Sequence, residues 1–125
     1  HANQEISYLL QRVEDFPGVV ILATNLKANI DAAFARRFQS EVYFAMPDAV
    51  QRFRLWRALF PQPDSLAPDV TLQQLAEKYE LSGGALLNVV RYAAIRAVRM
   101  QRKAIVQDDL IMGIGKELMK EGKSL

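Results

Sequence analysis

The sequence has no cysteine. That excludes disulfides, thiolate catalysis and cysteine-based zinc sites, and it fits a reducing, cytoplasmic setting. It has one histidine, His1, at the start of the chain, where a flanking residue is a better reading than a ligand or a base. No apolar run is long enough to cross a bilayer. The longest, residues 18–23, is far short of the roughly 20 residues a spanning helix needs. No signal-peptide pattern opens the chain. A phosphate-gripping loop of the form G-x-x-x-x-G-K-S/T is missing. So are H-E-x-x-H, G-x-S-x-G and an acidic pair at the end of an apolar strand. No metal site is expected, and these residues hold no complete catalytic site. The chain starts without a methionine, so it reads as a fragment or a processed product.

What is present is enough for one packed domain. The 125 residues are 50% hydrophobic, and a chain of this size buries roughly two thirds of its unfolded surface. The net charge is +2, too small by itself to argue for nucleic acid. The charge is uneven, however. Residues 1–47 carry four Lys/Arg and five Asp/Glu, whereas residues 48–125 carry twelve and nine.

Apolar spacing predicts a helix from Asn3 to Phe16, stopped by Pro17-Gly18. Val19 to Thr24 is a short, β-branched apolar run, the pattern of a strand buried on both faces in a parallel sheet. A loop follows, and Asp31 can cap a short helix to about Arg37. Glu41 to Ala45 reads as a second strand, ended by Met46-Pro47. Beyond that the pattern is helical. Asp48 with Gln51 fits a capping box for a helix to about Phe60, with Val50, Phe53, Leu55, Trp56 and Leu59 as its apolar residues. Residues 61–69 form a proline-rich loop. Thr71 with Gln74 fits a second capping box for a helix to about Tyr79. Ser82-Gly83-Gly84 precedes a long helix to about Arg102, with Leu86, Leu87, Val90, Ala94 and Val98 as its apolar face. A last helix runs from about Gln107 to Lys120, weakened by Gly113 and Gly115 at about 1 kcal/mol each relative to alanine. The fold class is therefore an α/β fragment of about two parallel strands with flanking helices, then four helices. It is mostly helical overall, and the candidate boundary lies between residues 47 and 48. Two strands alone cannot close a parallel sheet, and bare strand edges invite pairing with other chains.

Several residues draw attention. Asn25 directly follows the first apolar run, and in open α/β sheets ligands bind beyond the carboxyl ends of the strands. A carboxamide there can orient a water or touch a phosphate oxygen. By position alone, a turn asparagine is the more ordinary reading. Arg36 and Arg37 stand before Phe38. They can grip phosphate, or simply complement a helix C-terminus. Arg91, Arg96, Arg99, Arg102 and Lys103 form a basic run that could meet nucleic acid. Few aromatics interleave it, so a solvated helix face is favoured over base stacking. Trp56, Phe53 and Phe60 read as core.

Taken together these pieces resemble one family. "VVILATNLKANIDAAFARRFQSEVYFAMPDAVQRFRLWRALFP" is similar to the second region of homology of AAA+ ATPases and the start of their helical lid. "LSGGALLNVVRYAAIRA" resembles the lid helix after that family's S-G-A/G turn. "VQDDL" resembles the start of the last lid helix, and "ANQEISYLLQRVEDFPG" resembles the helix after the Walker B strand. The individual pieces are weakly specific, but their order and spacing are much more so, and together they cover nearly the whole chain.

The resemblance implies that residues 1–47 are the C-terminal part of a nucleotide-binding α/β subdomain and residues 48–125 a helical lid of the classical AAA type. The P-loop and Walker B acid of the family lie N-terminal to this stretch. The chain alone is therefore expected to be inactive, while the complete protein would use ATP with Mg²⁺. Asn25 matches sensor 1, which positions the attacking water. Arg37 matches an arginine finger that reaches a neighbouring subunit's site, and Arg36 a second finger. Asp31 matches an acid that sets this loop. Gly83, Gly84 and Ala85 match the lid turn against adenine and ribose, and Leu55 and Leu59 match apolar adenine neighbours. A lid arginine common near residue 85 is replaced by Ala85-Leu86, and Val106 replaces a capping Thr or Ser. The implied partner is a second copy of the chain in a hexameric ring, with the protein substrate unknown. A DNA-linked clamp-loader or initiator type, using the basic lid helices, is a lesser alternative. A non-catalytic helical interaction module is another.

Overall fold

A computed structural model describes Tyr8, Leu9, residues 11–23 and residues 36–125. Asn25, Asp31 and the loop between them lie outside the described residues. The chain divides into two compact units, His1–Phe44 and Ala45–Leu125.

In the first unit, Tyr8, Leu9 and residues 11–14 are helical. The Phe16 amide closes this stretch by donating to the Val13 carbonyl at 3.1 Å. The two expected strands are not formed. Residues 19–23 and 41–45 carry no strand, and Val19 and Ile21 are each 88% exposed. The described residues are mostly helical, as expected, but the two-strand α/β part of the expectation is not found among them: their only β contact is an isolated parallel bridge between Leu66 and Ile105. The physical reason is that a strand persists through its ladder partners and through layers packed on its faces. These two apolar runs find no such ladder among the described residues.

The second unit holds α1 (Ala49–Leu59), a 3₁₀ turn (Pro63–Ser65), α2 (Leu72–Lys78), α3 (Gly83–Arg99) and α4 (Gln107–Lys120). The capping box predicted for α1 is present. Gln51 N–H donates to Asp48 Oδ1 at 2.8 Å, and Asp48 N–H donates to Gln51 Oε1 at 2.9 Å. The one predicted for α2 is not. The Thr71 side chain makes no cap bond within its own helix. Thr71 exchanges hydrogen bonds instead with Gln107, 36 residues away. Thr71 N–H donates to Gln107 Oε1 at 3.1 Å, and Gln107 Nε2 donates to Thr71 Oγ1 at 3.2 Å. The start of α4 lacks a capping Ser or Thr but is still satisfied. Asp109 accepts the Val106 N–H at 2.9 Å, and Asp69 accepts that of Gln107 at 3.3 Å. Orphan helix amides thus find side-chain partners from neighbouring elements.

Trp56, Leu75, Leu81, Leu86, Val89, Ala93, Leu110 and Ile114 form the centre of the core. Phe53, Leu59 and Phe60 pack partly buried against it, as their spacing predicts, while Val50 and Leu55 are exposed. Among the described residues the Trp56 indole N–H has no acceptor. On α3 the buried face is Leu86, Val89, Ala93 and Ala97. Leu86 is buried as predicted and Val90 packs partly buried against the core, but the rest of the face lies one residue round from the predicted stripe, so Ala94 and Val98 face solvent. The opposing helix meets this face at close range. A Cβ on Gly113 of α4 would stand 3.1 Å from Val89 Cγ1 and 3.2 Å from the Val89 carbonyl oxygen. The two backbones approach closely at this point, and a bare glycine on α4 makes room for Val89.

This contact sets opposite signs for two similar changes. Gly113→Ala adds a methyl against backbone, and overpacking of this kind costs about 1–3 kcal/mol, outweighing a helix gain of about 1 kcal/mol. At Gly115 the nearest atoms to a Cβ are side-chain atoms of Leu125, the closest at 3.4 Å, so Gly115→Ala should stabilise by up to about 1 kcal/mol. Thermal melts should move in opposite directions for the two variants, and a rise for Gly113→Ala would refute the close-packing account.

Candidate functional site

The site predicted from sequence in the second unit lies at the start of α3. Ser82 caps it: Ser82 Oγ accepts the Ala85 N–H at 3.1 Å, and the Ser82 carbonyl accepts the Leu86 N–H at 3.0 Å. Gly83 and Gly84 are the first two helical residues and are exposed. α1 brings Leu55 beside them, with its Cδ1 3.9 Å from where a Gly83 Cβ would stand. A Gly84 Cβ would meet only Ser82 Oγ, at 4.0 Å. The fold therefore does not need glycine at either place, and their bare backbone is open to an approaching molecule. Ala85 and Leu59 are partly buried against the core. Leu55 is thus the apolar side chain exposed beside the glycine pair, and Leu59 mainly supports the helix.

In the first unit, Arg36 and Arg37 lie in a turn and are exposed. Arg37 Nε meets Glu14 Oε1 at 3.1 Å, with both side chains about half exposed.

The basic run is not a uniform cationic surface. Arg96 Nη1 donates to Asp109 Oδ1 at 2.7 Å and Arg96 Nη2 approaches Asp108 at 3.2 Å. Arg102 grips Asp109 with two nitrogens, at 2.6 Å to Oδ2 and 2.8 Å to Oδ1. Asp109 is completely buried. The Arg102 hydrogen bond holds its carboxyl far below the usual carboxylate range against the opposing effect of burial, and the Val106 amide and Arg96 help. Two of the five cations are therefore internal ties, which weakens the nucleic-acid alternative. A second buried acid, Glu117, is pushed upward by desolvation, but Lys120 and Asn88 outweigh that and leave it lowered. Arg52 is also buried, and among the described residues its bonds go to carbonyls, not carboxylates. It donates from Nε to the Ala76 carbonyl at 2.8 Å and from Nη1 to the Pro47 carbonyl at 2.7 Å. It thereby ties the end of α2 to the chain entering α1. Sequence reasoning did not single out Asp109 or Arg52. An acid and an arginine on helices read as solvated charges until the packing is known.

No family model matches the chain. Individual relatives do. The chain is 33% identical over 119 residues to a protein named ATP-dependent zinc metalloprotease FtsH from Sulfurovum sp. (strain NBC37-1), covering 90% of this chain and 18% of that protein. It is 35% identical over 115 residues to the protein of the same name from Clostridium perfringens, covering 86% and 16%. It is 33% identical over 93 residues to a katanin p60 ATPase-containing protein of the A-like 1 type from Oryctolagus cuniculus, covering 74% and 19%. The chain belongs among the AAA+ ATPases.

As an AAA+ segment it spans about a fifth of the length of these relatives. Among the described residues of this AAA+ chain no helix is long and apolar enough to cross a membrane. None of its described Asp and Glu residues gather into a group of three that could hold a metal. The zinc in the FtsH name belongs to those proteins.

Proposed function

We propose that residues 1–47 supply the C-terminal part of an AAA+ nucleotide-binding subdomain and residues 48–125 its helical lid, within an ATP-hydrolysing, ring-forming machine. In this reading Asn25 is sensor 1, and Arg37, with Arg36, reaches the ATP of a neighbouring copy. Gly83, Gly84, Ala85, Leu55 and Leu59 form the lid's contact with the nucleotide base and sugar. ATP with Mg²⁺ is the cofactor of the complete protein, and no residue of this chain is assigned to the metal. Identity to AAA+ ATPases over most of the chain supports the reading.

The observation that carries it is the pairing of exposed Leu55 with a glycine-only helix start. The arrangement offers an apolar contact and unshielded backbone to a flat ring, and the fold has no steric need for it. Binding of a fluorescent ATP analogue to the full-length gene product tests this. Leu55→Asp, which sets a carboxylate where an apolar contact is required, should weaken binding by about tenfold or more, a loss of about 1.4 kcal/mol. Gly84→Leu should do the same by filling the approach. Neither change should lower the melting temperature appreciably, because both positions are exposed. Unchanged affinity in both variants would remove this site from consideration.

A further inference from the structure

Helix α3 has a second face that the rest of the second unit leaves uncovered. Arg91, Ala94, Ile95, Val98 and Arg99 are all exposed, with Ile95 at 53% and Val98 at 73%. Their spacing of three, four, seven and eight residues from Arg91 puts them on one stripe of the helix, about 12 Å long at 1.5 Å per residue. Three aliphatic side chains are thus bracketed by two guanidinium groups. Arg91 and Arg99 make no ion pair with any described residue. Helix α3 contains no acidic residue from Gly83 to Arg99, and α1 none from Ala49 to Leu59. Asp108, which is exposed on α4, is already joined to Arg96.

We propose that this stripe docks an acidic amphipathic helix of a partner protein. Apolar residues one turn apart on the partner cover Ala94, Ile95 and Val98, and carboxylates about two turns apart meet Arg91 and Arg99. Both parts of the surface are needed to choose this occupant. A nucleic-acid strand would match the two cations but leave the aliphatic centre against phosphates, where it contributes nothing to the salt-dependent attraction. A second copy packed by two-fold symmetry would set α3 against α3, so that Arg91 of one copy faces Arg99 of the other and like charges oppose the contact. An acidic amphipathic helix satisfies the charges and the apolar centre together, its own apolar stripe lying along this one.

The test uses the whole 125-residue chain and two fluorescein-labelled helical peptides of about four turns. One has leucines on one face and glutamates flanking them, and the other carries lysine in place of every glutamate. Fluorescence anisotropy should show saturable binding of the glutamate peptide and none of the lysine peptide. The double variant Arg91→Glu, Arg99→Glu should bind the glutamate peptide at least tenfold more weakly and gain affinity for the lysine peptide. Ile95→Ser with Val98→Ser should weaken binding as strongly while the far-ultraviolet melt stays unchanged. Four outcomes would overturn the proposal: no binding of the glutamate peptide, equal binding of both peptides, binding indifferent to these variants, or a single-stranded oligonucleotide that displaces the peptide from the same arginines. Self-association that Ile95→Ser with Val98→Ser abolishes would overturn it in favour of a second copy.

Discussion

Asp109→Ala should lower the stability of the second unit by about 3 kcal/mol. Breaking a buried ion pair by deleting one partner costs about 3–5 kcal/mol. The lower end applies because the Arg96 and Arg102 side chains remain 23% and 28% exposed and recover some hydration. The variant also strips the Val106 amide of its acceptor. For a domain of this size the change corresponds to a fall in melting temperature on the order of 10–20 °C. Asp109→Asn keeps the shape and one acceptor but loses the charge, so it should fall between wild type and alanine. The same group sets an acid limit. A carboxyl whose folded value lies below its unfolded one stabilises the fold fully above its unfolded value, about 3.9. That stabilisation is lost as the pH falls toward the folded value. Asp109 is shifted in this direction. Wild-type stability should therefore decline more steeply below about pH 4 than that of Asp109→Asn. Parallel acid melts of the two proteins would show that the network contributes nothing.

Arg37→Ala in the full-length, assembled protein should leave ATP affinity nearly intact and reduce hydrolysis by about 10³–10⁵, the effect of losing an arginine finger. Arg37→Lys should recover only part, because a point charge replaces a planar fork. The contact with Glu14 does not stand in the way. Both partners are about half exposed, and such surface pairs contribute about 0–1 kcal/mol, so the guanidinium can exchange a carboxylate for a phosphate at little cost. If Arg37 acts in trans as proposed, mixing Arg37→Ala protein with a variant whose own nucleotide site is disabled should restore part of the turnover that neither shows alone. Unchanged turnover in the intact ring would end the trans-acting assignment.

How much of this is legible in the sequence depends on the range of the interaction. The four main helices of the second unit follow from apolar spacing, and for α1 and α3 from local caps; Asp48 with Gln51 is a contact three residues apart that sequence can see. Thr71 and Gln107 are 36 residues apart, so their exchange of hydrogen bonds leaves no local trace. On α3 the sequence points one residue away from most of the buried face, because Leu87, Val90, Ala94 and Val98 repeat at the same spacing as Leu86, Val89, Ala93 and Ala97 and end on a larger residue. The true face includes Val89, which fits against the bare backbone of Gly113 on a helix some two dozen residues further on. The two apolar runs look like strands from composition alone, whereas a strand is a relation between segments, and no ladder is formed among the described residues. At the candidate site, Gly83 and Gly84 are visible as residue types, but their freedom from any packing requirement is visible only in three dimensions. The Asp109 pairings escape the sequence because an acid at a helix start is usually a solvated complement to the dipole.

The hydrogen bonds that cross from α4 to the start of α2 also bear on how the second unit moves. Helix α2 has seven residues, too few to persist alone in water. The amide of its capping residue, Thr71, is satisfied by Gln107, the first residue of α4. Loosening the start of α4 therefore releases the start of α2 in the same event. Amide hydrogens of the two helix starts should exchange with solvent as one cooperative group, and Gln107→Ala should accelerate exchange at Thr71 while leaving the middle of α3 slow.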